Sequence, residues 1–138
     1  MSGQLAKPQI ASVDTGWTVV DELPKVDQRI VVVMKSTVPV GTGRAVRLRL
    51  DDRGLSNVGY ASNPEFTAEG TAVRDFMQPD RVVIGAFEEI DGDVVERLHE
   101  GIDAPIVRCD VASAEMVKLA ANAALVTRIS FINEIANV

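Results

Sequence analysis

The chain has 138 residues, of which 46% are hydrophobic and 25% charged, and its formal net charge is −6. This length fits one domain with a core of its own, and the balance is that of a globular protein and not of a disordered one. The acidic charge argues against a nucleic-acid partner, because phosphate binding needs a basic surface.

The sequence also bears on membrane association and on the cellular compartment of the protein. No apolar run approaches the roughly 18 residues of a membrane helix, and the first residues lack the basic and apolar regions of a secretion signal. Cys109 is the single cysteine, so it has no partner for an internal disulfide. We therefore expect a cytoplasmic protein that does not bind a membrane.

Residues 1–28 are predicted to form an N-terminal segment with one short helix. Residues 1–9 show no periodic pattern. Four apolar residues then recur at spacings of three and four, which places them on one face of a helix: Ile10, Val13, Trp17 and Val20. Pro24 ends this helix.

Four short apolar runs predict β-strands. The first, at 30–34, is a β-branched run typical of a strand covered on both faces. The others lie at 57–61, 81–84 and 106–108.

Helices are predicted between these strands. One runs from 42 to 52 and ends at Gly54, which takes the left-handed conformation. Another begins with Asp91 as its N-cap and stops at Gly101. The last, about 25 residues long, starts with Asp110 or Ser113 as its cap and continues to Val138 without Gly or Pro. Strands alternating with helices predict an α/β fold with a mostly parallel sheet and right-handed crossovers.

Two groups of residues sit where such a sheet presents its loops. Gly41 and Gly43 supply two of the three glycines of a phosphate-binding fingerprint, although Val46 replaces the third. The alternative is that these glycines only provide backbone freedom. Glu65 and Glu69 follow the second strand and fit an acid/base pair or a holder of sugar hydroxyls. They also fit solvated loop charges, although Pro64 favours a defined loop geometry.

The last helix carries a further polar pair. Lys118 and Asn122 are four residues apart and share a face, so they could stabilise an oxyanion together. A surface ion pair between Lys118 and Glu115 is the alternative. Cys109 fits a buried structural thiol, and without a Cys/His or carboxylate cluster we expect no metal site.

The order of these motifs resembles the UDP-glucose/GDP-mannose dehydrogenase family. The resemblance covers roughly residues 29–138 and rests on five stretches: Lys35-Ser36-Thr37-Val38-Pro39-Val40-Gly41-Thr42, Asn63-Pro64-Glu65-Phe66 with Glu69-Gly70, Pro79-Asp80-Arg81-Val82-Val83-Ile84-Gly85, Ala114 to Asn122, and Ile129 to Glu134. It implies a partial Rossmann-like parallel sheet of about four strands with flanking helices and a long C-terminal helix. Residues 29–110 would be half of the NAD-binding domain, and 111–138 the start of the central dimerisation helix.

The resemblance also implies a chemistry, the NAD-dependent oxidation of the C6 alcohol of a nucleotide sugar such as UDP-glucose to a uronic acid. Thr37 would lie beside the nicotinamide and help to position a catalytic water, and Ser36 and Glu65 would contribute to cofactor binding. Glu69 would be the acid/base candidate. Lys118 and Asn122 would hold the sugar and stabilise the oxyanion at C6. Glu65, Glu69, Lys118 and Asn122 are expected to shape one shared cleft near the loop of Thr37.

Two family motifs do not occur in the chain. Residues 1–28 contain no strand with a GxGxxG loop, and Cys109 does not lie in the GGxCxPKD-like loop that carries the family's nucleophile. We therefore expect a truncated homologue or fragment that is inactive alone. The alternative is a non-catalytic module that self-associates or binds a sugar nucleotide. A twofold homodimer is expected, through the last helix or through an unpaired sheet edge.

Overall fold

A computed structural model describes residues 11–68 and 70–137, with side chains from residue 16 onward. Its sheet contains four strands in the order β1-β2-β3-β4: Ile30–Met34, Val58–Ser62, Val82–Ala86 and Ile106–Cys109. The first strand has the predicted bounds, and the other three differ from the predicted ones by at most two residues at either end. The α/β class with flanking helices is therefore confirmed.

The direction of β3 differs from the prediction of a mostly parallel sheet. β1 pairs with β2 and β3 pairs with β4 in parallel, but β2 and β3 are antiparallel and pair only through Ala61 with Ala86 and Ser62 with Gly85. A parallel connection needs a crossover of a dozen or more residues, usually an α-helix packed on the sheet. The short helix of this connection, α3 (Ala72–Met77), has no buried residue, so it does not cover the sheet, and the chain enters β3 in the opposite direction.

Five helices surround or extend the described sheet. Besides α3 they are α1 (Ala11–Glu22), α2 (Thr42–Asp52), α4 (Glu89–Leu98) and α5 (Val111–Ala136). Gly54, with a φ of 70°, takes the predicted left-handed conformation after α2. Asp110 is the cap of α5, since its side chain accepts a hydrogen bond from Ser113 N. The sequence reasoning missed α3, which is only 6 residues long.

The core forms two clusters of buried side chains, one on each face of the sheet. The first joins α1, α2 and the start of α5 through Val20, Val46, Leu50, Leu55, Val58, Tyr60 and Val111. Trp17 packs against it, as the predicted stripe on α1 requires, whereas the side chains of Ile10 and Val13 lie outside the described part. The second cluster consists of Ala61, Val82, Ile84 and Val95.

Asp91 has a different role from the predicted N-cap. α4 begins at Glu89 with Glu88 as its N-cap, and the Asp91 side chain is buried at 1% exposure. Its Oδ1 accepts from Nε and Nη2 of Arg29, and its Oδ2 accepts from the backbone N–H of Tyr60. Gly59 makes room for the carboxylate, because a Cβ there would collide with it. Asp91 thus ties α4 to β1 and β2.

The second half of α5 is exposed along its length. Its large apolar side chains stay more than half exposed: Leu125, Val126, Ile129, Phe131, Ile132 and Ile135. Over the described residues, the helices lack the combination of length and hydropathy that a bilayer span requires. Exposed apolar side chains in such number on one helix are a feature of interaction surfaces.

Candidate functional site

Asn63, directly after β2, forms hydrogen bonds with two other chain segments at the end of the sheet where β1 and β2 finish. Its backbone N–H donates to Met34 O at the end of β1, and its Nδ2 donates to Val83 O of β3 at 2.8 Å. Its Oδ1 accepts from Lys35 Nζ at 3.0 Å. Burial lowers the pKa of Lys35, and the nearby charge of Glu65 opposes that effect. The loop after β1 and the loop after β2 are therefore held side by side.

Phe66 connects this end of the sheet to α5. The guanidinium of Arg81 lies 5.0 Å from the centre of the Phe66 ring, and Lys118 Nζ lies 5.1 Å from it. Cations are attracted to the ring face, so the aromatic ring holds both charges near the loop that follows β2. In this way the structure brings Lys118 next to the stretch that carries Glu65.

Two small cavities adjoin the Phe66 ring. One of about 100 Å³ is lined by Phe66, Asp75, Gln78, Pro79, Asp80 and Arg81, and the other, of about 30 Å³, also reaches Lys35 and Glu65. Sites for whole small ligands commonly enclose about 300–1,000 Å³. These two cavities are consequently too small to enclose a whole ligand of that size.

Asp75 closes the loop that leads from Phe66 to α3. Its Oδ2 accepts from the backbone N–H of Ala68 at 3.0 Å and from the hydroxyl of Thr71 at 2.7 Å. Both hydrogen bonds lower the pKa of Asp75, because they stabilise its charged form. Glu69, the predicted acid/base residue, belongs to this loop but lies outside the described residues.

Glu115 does not form the predicted alternative ion pair with Lys118. Its side chain is buried, and its two oxygens accept hydrogen bonds from Gly41 N at 2.6 Å and Gly43 N at 2.7 Å. The backbone groups that a phosphate would need at the start of α2 are thus already bound to a carboxylate. The backbone-freedom reading is supported for Gly41, which has a φ of 97°, whereas Gly43 allows a close approach to Val111 and Tyr60.

The other predicted residues lie in separate parts of the structure. Ser36 and Thr37 are exposed in the loop after β1, Glu65 is exposed in the loop after β2, and Asn122 is exposed one turn beyond Lys118. Sequence reasoning did not assign roles to Asn63, Phe66 and Arg81, although all three lie in the motifs quoted for the resemblance. Their positions in the chain could have indicated a role, because Asn63 and Phe66 lie in the segment that follows β2 and Arg81 directly precedes β3.

Cys109 is a half-buried thiol whose Sγ lies 3.9 Å from Ile84 O. Burial, followed by the charge of Asp110, raises the pKa of this thiol. Since the thiolate is the nucleophilic form, the environment of Cys109 is that of a structural residue. Within the described ranges, no group of three or more His, Cys, Asp or Glu side chains could hold a metal ion.

Models of known families match most of the chain. The model described as UDP-glucose/GDP-mannose dehydrogenase family, NAD binding domain, matches residues 9–103, and the model of the central domain of the same family matches residues 112–138. The first match includes α1, which the resemblance read from motifs had left out. The second coincides with α5.

Individual relatives agree with this assignment. UDP-glucose 6-dehydrogenase TuaD of Bacillus subtilis (strain 168) is 46% identical over 110 residues, which are 78% of this chain and 24% of the relative. GDP-mannose 6-dehydrogenase of Pseudomonas syringae pv. tomato is 38% identical over 144 aligned positions, covering 99% of this chain and 32% of the relative.

Solved structures give the same result. A ternary complex of GDP-mannose dehydrogenase from Pseudomonas aeruginosa matches with a TM-score of 0.82 and 30% identity, over 97% of this chain and 33% of the other. A UDP-glucose dehydrogenase from the archaeon Pyrobaculum islandicum matches with a TM-score of 0.72 and 41% identity, over 76% and 25%. The chain spans about a quarter to a third of the length of these relatives. By its family model, its relatives and its fold, the chain belongs to the UDP-glucose/GDP-mannose dehydrogenase family.

Proposed function

We propose that this chain supplies the substrate-facing wall of a nucleotide-sugar 6-dehydrogenase site and that it does not turn over substrate alone. The observation that carries the proposal is the placement of Lys118 Nζ on the Phe66 ring, 5.1 Å from its centre. It joins the helix that bears Lys118 and Asn122 to the loop that bears Glu65. Relatives named UDP-glucose 6-dehydrogenase and GDP-mannose 6-dehydrogenase support this choice of substrate class.

Each polar group at this wall has a chemical task in the proposal. Lys118 and Asn122 present an ammonium and a carboxamide, which stabilise negative charge that develops on the oxygen at C6. The hydroxyl of Thr37 positions a water, and Glu65 and Glu69 accept hydrogen bonds from sugar hydroxyls or take up a proton. The Phe66 ring keeps Lys118 in place, Arg81 packs on the same ring, and neither binds a substrate atom in the proposal.

The described residues fit NAD only in part. NAD, when bound, would supply the hydride acceptor for the oxidation, and the exposed hydroxyls of Ser36 and Thr37 could contact its nicotinamide end. A pyrophosphate needs free backbone N–H groups at a helix N-terminus. Those of Gly41 and Gly43 are bound by Glu115, so its negative charge would repel a phosphate there.

In this proposal two features explain the absence of turnover. Cys109 is not an activated nucleophile, and the backbone N–H groups of Gly41 and Gly43 are already bound by Glu115. Covalent oxidation through a thiol needs an activated cysteine, whereas burial raises the pKa of Cys109. Purified protein mixed with NAD and UDP-glucose should form no NADH, which absorbance measures directly. Steady NADH production that disappears in Glu69→Ala would contradict this part of the proposal.

Calorimetry with UDP-glucose and with NAD tests the binding wall. We expect binding of UDP-glucose to wild-type protein, weakened in Lys118→Ala by about tenfold, the factor for one lost hydrogen bond to a charged group. Lys25→Ala is the matched control, because Lys25 is an exposed lysine in the segment after α1. No binding of either ligand to wild-type protein would instead favour the assembly module described next.

Self-association is the second candidate, and the exposed apolar face of α5 favours it. Ile129 is 51% exposed and Ile132 59%, and β1 and β4 each leave one edge unpaired in the described sheet. We expect a twofold homodimer through α5. Light scattering should show a dimer that Ile129→Asp dissociates, whereas Ser130→Asp, which adds the same charge to the polar side of the helix, should not. A monomer at micromolar concentration would contradict both a dimer through α5 and a dimer through an unpaired sheet edge.

A further inference from the structure

The N-terminus of α2 is occupied by a buried carboxylate to which the proposed chemistry assigns no role. Only 2% of the Glu115 residue is exposed, and each of its carboxylate oxygens accepts a backbone hydrogen bond, from Gly41 N and Gly43 N. The first N–H groups of a helix have no partner within the helix, and they carry its partial positive charge. Glu115 therefore satisfies both the donors and the charge at this end of α2.

The two backbones approach each other closely at this contact. A Cβ on Gly43 would lie 2.5 Å from Val111 Cγ1 and 2.6 Å from Tyr60 Cε1, so the start of α2 lies directly against the first turn of α5. The Tyr60 hydroxyl is buried without a hydrogen-bond partner among the described residues. The start of α2 and the first turn of α5 are therefore packed without room for a further side-chain atom at Gly43.

The loop between β1 and α2 is fixed at both of its ends. At its start, Asn63 N donates to Met34 O at 2.9 Å, and Lys35 Nζ donates to Asn63 Oδ1 at 3.0 Å. At its end, Gly41 is bound to Glu115. Ser36 and Thr37 lie between the two anchors. The first anchor belongs to the loop after β2, and the second belongs to α5.

We propose that Glu115 is a positioning residue that sets the Thr37 loop relative to the helix face of Lys118 and Asn122. Glu115 precedes Lys118 by three residues, so both project from adjacent positions of one rigid helical surface. Through the hydrogen bonds to Gly41 and Gly43, any displacement of α5 carries the end of the loop with it. The inference rests on the proposed function, because that function places Thr37 and Lys118 in one site.

Amide hydrogen exchange of the full chain, measured by NMR, tests this role without any ligand. In Glu115→Gln the side chain keeps its size but offers one acceptor, so one of the two glycine amides should exchange faster by about tenfold or more, and the other should not. In Glu115→Ala both should exchange faster, and the amide chemical shifts of Ser36 and Thr37 should change. Glu134→Gln, which alters an exposed carboxylate on the same helix, should change none of them.

Added acetate separates a positioning role from a contribution to overall stability. In Glu115→Ala, acetate should enter the vacated space and restore slow exchange at Gly41 and Gly43, while chloride should not. Unchanged glycine exchange in both variants would overturn the proposal. Faster exchange spread evenly over β2 and β3, and not reversed by acetate, would also overturn it.

Calorimetry with UDP-glucose distinguishes this inference from the proposed function. If wild-type protein binds UDP-glucose, Glu115→Ala should weaken the affinity and acetate should restore it; an unaltered affinity would overturn the positioning role. If wild-type protein does not bind UDP-glucose, the proposed function fails. The exchange pattern at Gly41 and Gly43 then still decides whether Glu115 holds the loop.

Discussion

Replacing Arg29 by methionine perturbs the buried ion pair that joins β1, β2 and α4. Arg29 Nη2 and Nε lie 2.7 and 3.1 Å from Asp91 Oδ1, and the Asp91 side chain is 1% exposed. In Arg29→Met the aliphatic part of the side chain is kept. The carboxylate then retains the backbone N–H of Tyr60, 3.3 Å away, but loses its cation. A buried charge without its partner is the costly result.

The expected loss of stability follows from the exposure of the two partners. Removing one member of a fully buried pair costs about 3–5 kcal/mol. The Arg29 side chain is 33% exposed, so water already screens part of the interaction. We therefore expect a loss of about 2–3 kcal/mol in the free energy of unfolding. This is a large share of the roughly 5–15 kcal/mol that stabilises a typical domain.

Urea unfolding followed by the fluorescence of Trp17, the single tryptophan, measures this loss. Arg49→Met is the matched control, because the pair of Arg49 and Asp21 has side chains 52% and 44% exposed, and exposed pairs contribute little. Adding Asp91→Asn to Arg29→Met should recover part of the stability, since no buried charge is then left unpaired; Glu88, which also pairs with Arg29, has a side chain that is 58% exposed and stays solvated. Equal shifts of the urea midpoint in Arg29→Met and Arg49→Met would refute the assignment of Asp91 as a buried charge.

Three further predictions concern packing and capping. Gly43→Ala should cost about 1–3 kcal/mol in urea unfolding, because its Cβ would lie 2.5 Å from Val111 Cγ1; an unchanged midpoint would contradict the close approach. Tyr60→Phe should leave stability unchanged or raise it by about 1 kcal/mol, since its buried hydroxyl has no partner in the described part, and a clear loss would reveal an unrecognised hydrogen bond. Hydrogen bonds from Ser113 lower the pKa of Asp110, so this cap stabilises the fold above the ordinary aspartate pKa and loses its effect as the pH falls through the folded-state value. The stability deficit of Asp110→Ala should accordingly be present at neutral pH and shrink on acidification; a deficit independent of pH would contradict the capping role.

Elements with a strong local pattern could be predicted from the sequence. The β-branched run of β1 and the Ala-rich stretch of α5, which lacks Gly and Pro, define their structures through residues that are neighbours in the chain. Gly54 likewise marks a helix end by its own backbone preference. The direction of β3 could not be predicted in this way, because it depends on the path of the whole connection after β2 and on whether α3 covers the sheet.

Asp91 and Glu115 show the limit of local patterns at the level of single side chains. Asp91 fits a helix N-cap, yet its partner Arg29 is 62 residues away. Glu115 fits an ion pair with Lys118 one turn later, yet it binds two backbone amides more than 70 residues away. Any residue type except proline offers a backbone N–H, so such a partner leaves no trace in the sequence beyond the two glycines that allow the approach.

The candidate site was predictable as a set of motifs but not as a geometry. The order of the stretches at 35–42, 63–70, 79–85 and 114–122 indicated the family, and the comparisons confirm it. The contact of Lys118 with Phe66 could not be derived from that order, because it depends on how α5 crosses the end of the sheet. Whether Glu65, Glu69, Lys118 and Asn122 form one cleft stays a prediction.

Mapping UDP-glucose onto isotope-labelled protein by NMR titration tests the proposed binding wall most directly. The account predicts that shifts on titration concentrate at Phe66, Lys118 and Asn122 and in the loop of Ser36 and Thr37, and that Lys118→Ala needs about tenfold more UDP-glucose to reach the same shifts in that loop. Shifts confined to other surfaces, or a full titration with no shifts at these residues, would contradict the claim that this wall receives a nucleotide sugar.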